Sequence, residues 1–134
     1  MNELKRILFV DDEPAISQIA ILVLQKMGGF EILGCTSGQE ALDAADAFKP
    51  DLLLLDVMMP DMDGPATLDK LRALPVTADV PVIFMTGKSR PEEVASLKAL
   101  GAIDVIAKPF NPTQLPDQVR SAWQQWAIAS RQNA

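Results

Sequence analysis

The chain has 134 residues and a formal net charge of −6, because 18 Asp and Glu outnumber 12 Lys and Arg. A chain of this length forms one domain with a sizeable core, and its apolar content of 49% can fill that core. The acidic balance and the lack of any Lys/Arg cluster argue against direct contact with nucleic acid or an anionic membrane. No apolar run could span a bilayer, so the expected location is the cytoplasm.

Histidine is absent, and Cys35 is the single cysteine. Without histidine, the chain cannot form Ser-His-Asp or Cys-His nucleophile pairs, an HExxH zinc site or a phosphohistidine carrier. A zinc site is hard to build from one cysteine, and an internal disulfide is impossible. Carboxylates are therefore the plentiful reactive groups.

Five short apolar runs, each followed by a segment of helical period, divide the chain. The first run, Ile7–Val10, precedes Pro14, which suits a first helical position. Apolar residues then recur at three-and-four spacing as far as Met27, and Gly28 and Gly29 end the predicted helix.

The next two units follow the same order. A short second strand is predicted at Glu31–Cys35, and Ser37 with Glu40 forms a capping box that opens a helix of about Gln39–Phe48. The run Leu52–Leu55 is apolar without alternation, which is typical of a central parallel strand covered on both faces.

The remaining predicted elements follow a loop rich in Pro, Asp and Gly. They are a helix at Pro65–Leu74, a strand at Val80–Thr86, a helix at Pro91–Leu100, a strand at Ile103–Ala107 and a helix at about Pro116–Ser130. Pro116 lacks a backbone donor, so the last helix is predicted to start late. Five strand–helix repeats predict an α/β fold, a doubly wound five-stranded parallel (βα)5 sheet with right-handed crossovers.

Polar residues follow or end four of the predicted strands. In such sheets ligands bind outside the carboxyl ends of the strands, and these ends carry Asp11, Asp12, Asp56, Thr86 and Lys108. Each residue alone could be a cap, a turn residue or a solvated side chain. Their joint occurrence at one edge favours a single phosphoryl site.

The chemistry of this set indicates a metal-assisted reaction. Three converging carboxylates repel one another, and Mg²⁺ or Mn²⁺ would relieve that repulsion. An aspartate beside such a cation can attack phosphorus and form an aspartyl phosphate. The cation, the Lys108 ammonium and the Thr86 hydroxyl could each neutralise one phosphoryl oxygen. Lys108 precedes Pro109, and the sequence leaves the isomer of that bond open.

Four segments closely resemble the receiver domain of two-component response regulators: FVDDEP, LLLLDVMMPDMDG, VIFMTG and AKPF. The chain, 1–134, is expected to be one domain, and the resemblance covers about residues 4–126 of it. The motifs are most similar to those of single-domain receivers of the chemotaxis-regulator type. It implies a flavodoxin-like fold with strand order 2-1-3-4-5. It also implies that Asp56 is the phosphoacceptor, that Asp12, Asp56 and the Met58 carbonyl bind Mg²⁺, and that Asp11 helps through water.

The resemblance further implies that Thr86 is the switch hydroxyl and Lys108 the phosphate-binding lysine. A sensor histidine kinase or a histidine phosphotransfer protein would supply the phosphoryl group. The chain would catalyse only its own phosphorylation and dephosphorylation. The phosphorylated form would change a face built from the fourth helix, the fifth strand and the last helix, and that face would bind an output protein or a second copy.

One departure from the family and two further features of the chain lead to additional expectations. Val105 stands where the family commonly has an aromatic residue, so the switch loop is expected to move without a ring partner. The resemblance implies that Met58 and Lys88 flank the path of the hydrolytic water; both are poor bases and long enough to obstruct it, which predicts a long-lived phosphorylated form. Trp126 and Ile128 lie at the end of the resemblance and are a candidate contact for a partner or a second copy.

Two alternatives come from other classes of protein. A flavodoxin-like flavin carrier shares the topology, but its phosphate is normally held by hydroxyl- and glycine-rich loops, and the first loop here is Asp-Asp-Glu. An Asp-nucleophile phosphatase needs a second Asp two residues after the first, where this chain has Met58. Because residues 127–134 cannot fold alone, the chain is either a stand-alone receiver or a receiver cut from a longer regulator.

Overall fold

A computed structural model describes residues 3–132, in which five strands alternate with five helices. The strands are β1 (Arg6–Val10), β2 (Glu31–Cys35), β3 (Leu52–Asp56), β4 (Val82–Thr86) and β5 (Ala102–Ala107). The helices are α1 (Pro14–Lys26), α2 (Gly38–Phe48), α3 (Gly64–Arg72), α4 (Pro91–Ala99) and α5 (Leu115–Gln132). The predicted end of the chain, 127–134, is thus described as far as residue 132.

All neighbouring strands pair in parallel, in the order β2-β1-β3-β4-β5. The predicted doubly wound sheet and its strand order are therefore confirmed. Asp56 lies opposite Met85, and Thr86 lies opposite Ala107. The carboxyl ends of the three strands β3, β4 and β5 therefore lie at nearly the same level in the sheet. Residues that follow these strands consequently meet at one edge of the sheet.

Two hydrophobic cores cover the two faces of the sheet. Ile7 and Phe9 point to the core shared with α1 and α5, whereas Leu8 and Val10 point to the core shared with α2, α3 and α4. This alternation follows from the two-residue period of a strand. All five residues of β3 and of β4 are buried, as expected for strands that lie inside the sheet and are covered on both faces.

The helix starts show which capping predictions hold. The Ser37 hydroxyl accepts the N–H of Glu40 at 3.1 Å, which is the N-cap half of the predicted box. The Glu40 carboxylate instead accepts the Thr36 hydroxyl at 3.2 Å. Asp63 caps α3 by accepting the N–H of Ala66 at 2.9 Å.

The strand β4 begins at Val82, so the predicted start at Val80 was wrong. Pro81 has no N–H to give to a neighbouring strand. The Arg72 guanidinium instead holds the carbonyls of Thr77 and Val80. These bonds fix the turn that leads into the strand.

The last helix, α5, begins at Leu115, one residue before the predicted start. Pro116 therefore lies in the first turn, where a missing N–H costs no intrahelical bond. Further along α5, Trp123 is buried and Trp126 half-buried, with ring centroids 6.2 Å apart, and Ile128 is exposed. Within residues 3–132, none of the helices has both the length and the apolar character that crossing a membrane requires.

Candidate functional site

An acidic cluster lies at the carboxyl edge of the sheet. Asp11, Asp12 and Asp56 each offer a carboxylate oxygen, and these oxygens lie within 4.8 Å of one another. Asp11 follows β1, and Asp56 ends the neighbouring strand β3, so the parallel topology brings them together. Asp11 is fully buried and Asp56 is only 3% exposed, while Asp12 is half-buried.

Lys108 joins this cluster from the end of β5. Its Nζ lies 3.1 Å from Asp11 Oδ2, 3.3 Å from Asp56 Oδ2 and 3.5 Å from Glu13 Oε1. The Lys108–Pro109 bond, whose isomer the sequence left open, is cis. One ammonium group therefore faces three carboxylates at once.

The carboxylates raise the cost of ionising Asp56. Burial, and next the charge of Asp11, raise the pKa of Asp56 to about 6, although Lys108 opposes the change. Burial alone would lower the pKa of Lys108, but its contacts with Asp11 and Asp56 raise that pKa above the ordinary value. Lysine thus stays charged, and the three acids of the cluster still exceed it by two negative charges.

The donor set suits a hard divalent cation. The cluster consists of carboxylate oxygens only, which Mg²⁺ and Mn²⁺ prefer over nitrogen or sulfur ligands. Besides burial, the charge of Asp11 raises the pKa of Asp56, and a cation would offset this repulsion. The residues present therefore fit the metal that the sequence analysis expected.

Thr86, at the end of β4, is engaged with its own loop. Its hydroxyl accepts the N–H of Lys88 at 3.0 Å and donates to the Lys88 carbonyl at 3.4 Å. Gly87, between them, has open space where a Cβ would be. To donate to a phosphoryl oxygen, the hydroxyl must give up its bond to the Lys88 carbonyl.

The other predicted site residues surround this arrangement. Met58 follows β3 and Lys88 follows β4, and both side chains are exposed. Val105 is half-buried in β5, where it lies opposite Phe84. Sequence reasoning missed Glu13, although its position directly after two aspartates was a usable signal.

The comparison with protein families covers most of the chain. Residues 7–120 match the model of the response regulator receiver domain. The chain belongs to this family. The family and the strand order that the sequence motifs predicted are thus confirmed.

Relatives and solved structures agree with this assignment. The receiver domain is 37% identical over 117 residues to the DNA-binding response regulator MtrA of Mycolicibacterium smegmatis, covering 87% of this chain and 50% of MtrA. It is 41% identical over 115 residues to the transcriptional regulatory protein YvrH of Bacillus subtilis, covering 86% of this chain and 47% of YvrH. The chain thus spans about half the length of the curated relatives it matches.

Among solved structures, the chemotaxis protein CheY4 of Vibrio cholerae has the same fold. It matches with a TM-score of 0.81 and 31% identity, and the match covers 89% of this chain and 98% of CheY4. A response regulator from Desulfuromonas acetoxidans matches equally well, with a TM-score of 0.81 and 31% identity, over 90% of this chain and 98% of the other. The likeness therefore extends over nearly the whole receiver domain.

Proposed function

We propose that this receiver domain accepts a phosphoryl group on Asp56 in a reaction that requires Mg²⁺ or Mn²⁺. The observation that supports this most directly is the position of Asp56. Its buried carboxylate shares the cluster with Asp11 and Asp12 and lies 3.3 Å from the Lys108 ammonium. The site thus combines a nucleophile, oxygen ligands for a metal ion, and an ammonium group that can bind phosphoryl oxygens.

Each residue has a role in this reaction. Asp12, Asp56 and the Met58 carbonyl would hold the cation, with Asp11 acting through water. When bound, the cation supplies positive charge that offsets the negative charge of the phosphoryl oxygens. An Asp56 oxygen forms the new bond to phosphorus, while the bond to the donor breaks and the donor keeps its electron pair. Lys108 moves from Asp56 Oδ2 to a phosphoryl oxygen.

The response to phosphorylation begins at Thr86. Its hydroxyl leaves Lys88 and donates to a phosphoryl oxygen, and the open space at Gly87 lets the loop follow. Because β4 pairs with β5, the change reaches the face of α4, β5 and α5. We propose that this face then binds an output protein or a second copy, and that the switch loop moves without a ring partner because Val105 stands in the aromatic position.

The phosphoryl donor that we propose is a sensor histidine kinase or a histidine phosphotransfer protein. The helix α1 begins at Pro14, two residues after Asp12, and exposes the side chains of Ile19 and Leu22. An exposed apolar face beside the site suits contact with a protein donor. The receiver itself would touch neither DNA nor membrane, because its net charge is −6. It would act in the cytoplasm.

Mass spectrometry after treatment with acetyl phosphate tests the proposal. With Mg²⁺, the wild-type protein should gain one phosphoryl mass, and Asp56→Asn should abolish the gain. Asp61→Asn is the matched control, because Asp61 is exposed in the loop that follows β3. Equal modification in excess chelator would contradict the proposal. Visible flavin absorbance, or turnover of a generic phosphate ester, would favour one of the other two classes.

A further inference from the structure

Glu13 contacts the phosphate-binding lysine but lies outside the acidic cluster. Its Oε1 is 3.5 Å from Lys108 Nζ, and its side chain is 58% exposed. Asp11 Oδ1 accepts the backbone N–H of Glu13 at 2.9 Å, which fixes this residue next to the site. The carboxylate of Glu13 thus reaches the lysine from the solvent side.

The position of Glu13 at the start of α1 does not explain which partner its side chain contacts. Glu13 is the N-cap residue of α1, where a side chain commonly accepts a backbone N–H of the first turn. The Glu13 side chain makes no such bond. Its observed partner is Lys108, so the contact belongs to the site and not to the start of the helix.

Lys108 has three acidic partners, and they differ in what a cation does to them. Asp11 and Asp56 are members of the cluster that would surround Mg²⁺, so their attraction for the lysine falls when the cation is present. Glu13 lies outside that cluster and keeps its full charge for the ammonium. A phosphoryl oxygen that needs Lys108 must therefore compete with Glu13.

We propose that Glu13 is a positioning residue that holds Lys108 toward solvent and thereby slows the phosphorylation of Asp56. This inference rests on the proposed function of Asp56 and Lys108. Removing the charge of Glu13 leaves the phosphoryl group with one competitor fewer for the ammonium. Exposed ion pairs are weak, so the expected gain in rate is about two- to fivefold, and added salt should reduce it.

The test compares Glu13→Gln with Asp61→Asn at saturating Mg²⁺. Both variants remove one negative charge from the protein, and either change would favour an anionic donor. Of these two residues, however, only Glu13 contacts Lys108, while Asp61 is exposed in the loop after β3. Phosphorylation by acetyl phosphate and the affinity for beryllofluoride, a phosphoryl analogue, should both rise about two- to fivefold in Glu13→Gln relative to Asp61→Asn.

Two further measurements show whether Glu13 acts through the lysine. The gain in beryllofluoride affinity should vanish when Lys108→Met is present in both proteins. The ¹⁵N resonance of the Lys108 ammonium in the unphosphorylated protein should shift in Glu13→Gln but not in Asp61→Asn. A merely structural role of Glu13 would produce neither result.

The outcomes separate this inference from the proposed function. If the wild-type protein is phosphorylated on Asp56 and Glu13→Gln behaves like Asp61→Asn, the role of Glu13 is wrong and the proposed function stands. A gain that persists without Lys108 also overturns it. If the wild-type protein takes no phosphoryl group, the proposed function is wrong, and the inference about Glu13 is wrong with it.

Discussion

Charged side chains at the two edges of the sheet have different kinds of bonding partner. At the amino edge, the Asp51 carboxylate accepts the backbone N–H groups of Lys5 and Arg6 at 3.1 and 2.9 Å. Nearby, the Arg120 guanidinium donates to the Gly28 carbonyl at 2.6 Å. These bonds join charged side chains to neutral backbone groups, which is an arrangement that stabilises a fold, and Arg120 also lies 3.8 Å from the carboxylate of Asp117.

At the carboxyl edge, charged groups face other charged groups. Asp11, Asp56 and Glu13 share one lysine, and the pKa of Asp56 rises to about 6 as a result of burial and of the charge of Asp11. The same residue types thus stabilise one edge and leave repulsion at the other. This repulsion identifies the carboxyl edge as the place where ligands are needed.

The largest expected effect comes from removing the charge of Asp56. Its folded-state pKa of about 6 lies above the ordinary 3.8, so its contribution to stability is complete below about pH 4 and is lost as the pH rises through 6. In chelator at pH 7, Asp56→Asn should therefore raise the free energy of unfolding by on the order of 2 kcal/mol.

Urea unfolding of both proteins at pH 4 and pH 7 measures this effect. The gain should shrink strongly at pH 4, and Mg²⁺ at pH 7 should stabilise the wild type more than the variant. A gain that is the same at both pH values would show that the charge of Asp56 is not its cause.

Thr86→Ala tests whether phosphorylation at the carboxyl edge changes the structure of α4, β5 and α5. The variant should still be phosphorylated, but it should lose most of the response, because a switch of this kind carries about 1 to 3 kcal/mol of coupling. Amide shifts on α4, β5 and α5 measure the response, with Ser89→Ala in the same exposed loop as the control. Equal shifts in wild type and Thr86→Ala would exclude this hydroxyl as the link.

Arg120→Ala tests the amino edge. The loss of the bond to the Gly28 carbonyl and of the stacking on Phe30, 4.8 Å away, should cost about 1 kcal/mol of stability. The rate of phosphorylation should not change. Thermal unfolding measures the loss, and Arg131→Ala, exposed on the same helix, is the control. A change in the rate of phosphorylation without a loss of stability would contradict the purely stabilising role of Arg120 at the amino edge.

The smallest expected effect concerns the lifetime of the phosphorylated form. Met58 and Lys88 are exposed on the loops that flank the site, and neither is a good base for the hydrolytic water. The double variant Met58→Asn with Lys88→Glu should shorten the lifetime severalfold, which corresponds to less than about 1 kcal/mol. The decay of the phosphoryl mass measures it, and an unchanged or longer lifetime would contradict the role of the two side chains.

Much of the carboxyl edge could be predicted from the sequence, because it depends on strand ends and parallel topology. Asp56 ends an apolar run, and any parallel sheet brings such ends together. The pKa of Asp56 could not be predicted, because it depends on how deeply packing buries the carboxylate. The contact of Glu13 was also missed, since its backbone position is that of an ordinary helix cap.

The amino edge was less predictable, because no run of residues at a strand end marks the side chains that form its bonds. Arg120 and Gly28 are 92 residues apart, and no local pattern connects them. The start of β4 was missed for a similar reason. Arg72 holds the carbonyls of Thr77 and Val80 across a turn, and helical or strand periodicity gives no sign of such a contact.

The two indole rings on α5 have an optical consequence. The chain contains two tryptophans and no tyrosine, so its ultraviolet fluorescence arises almost entirely from Trp123 and Trp126. Both rings sit on one helix, 6.2 Å apart, one buried and one half-buried. Emission from the unmodified protein therefore reports on the surroundings of a single helix. A change in its colour or intensity upon phosphorylation would show that a signal has travelled from Asp56 to α5, without any added dye.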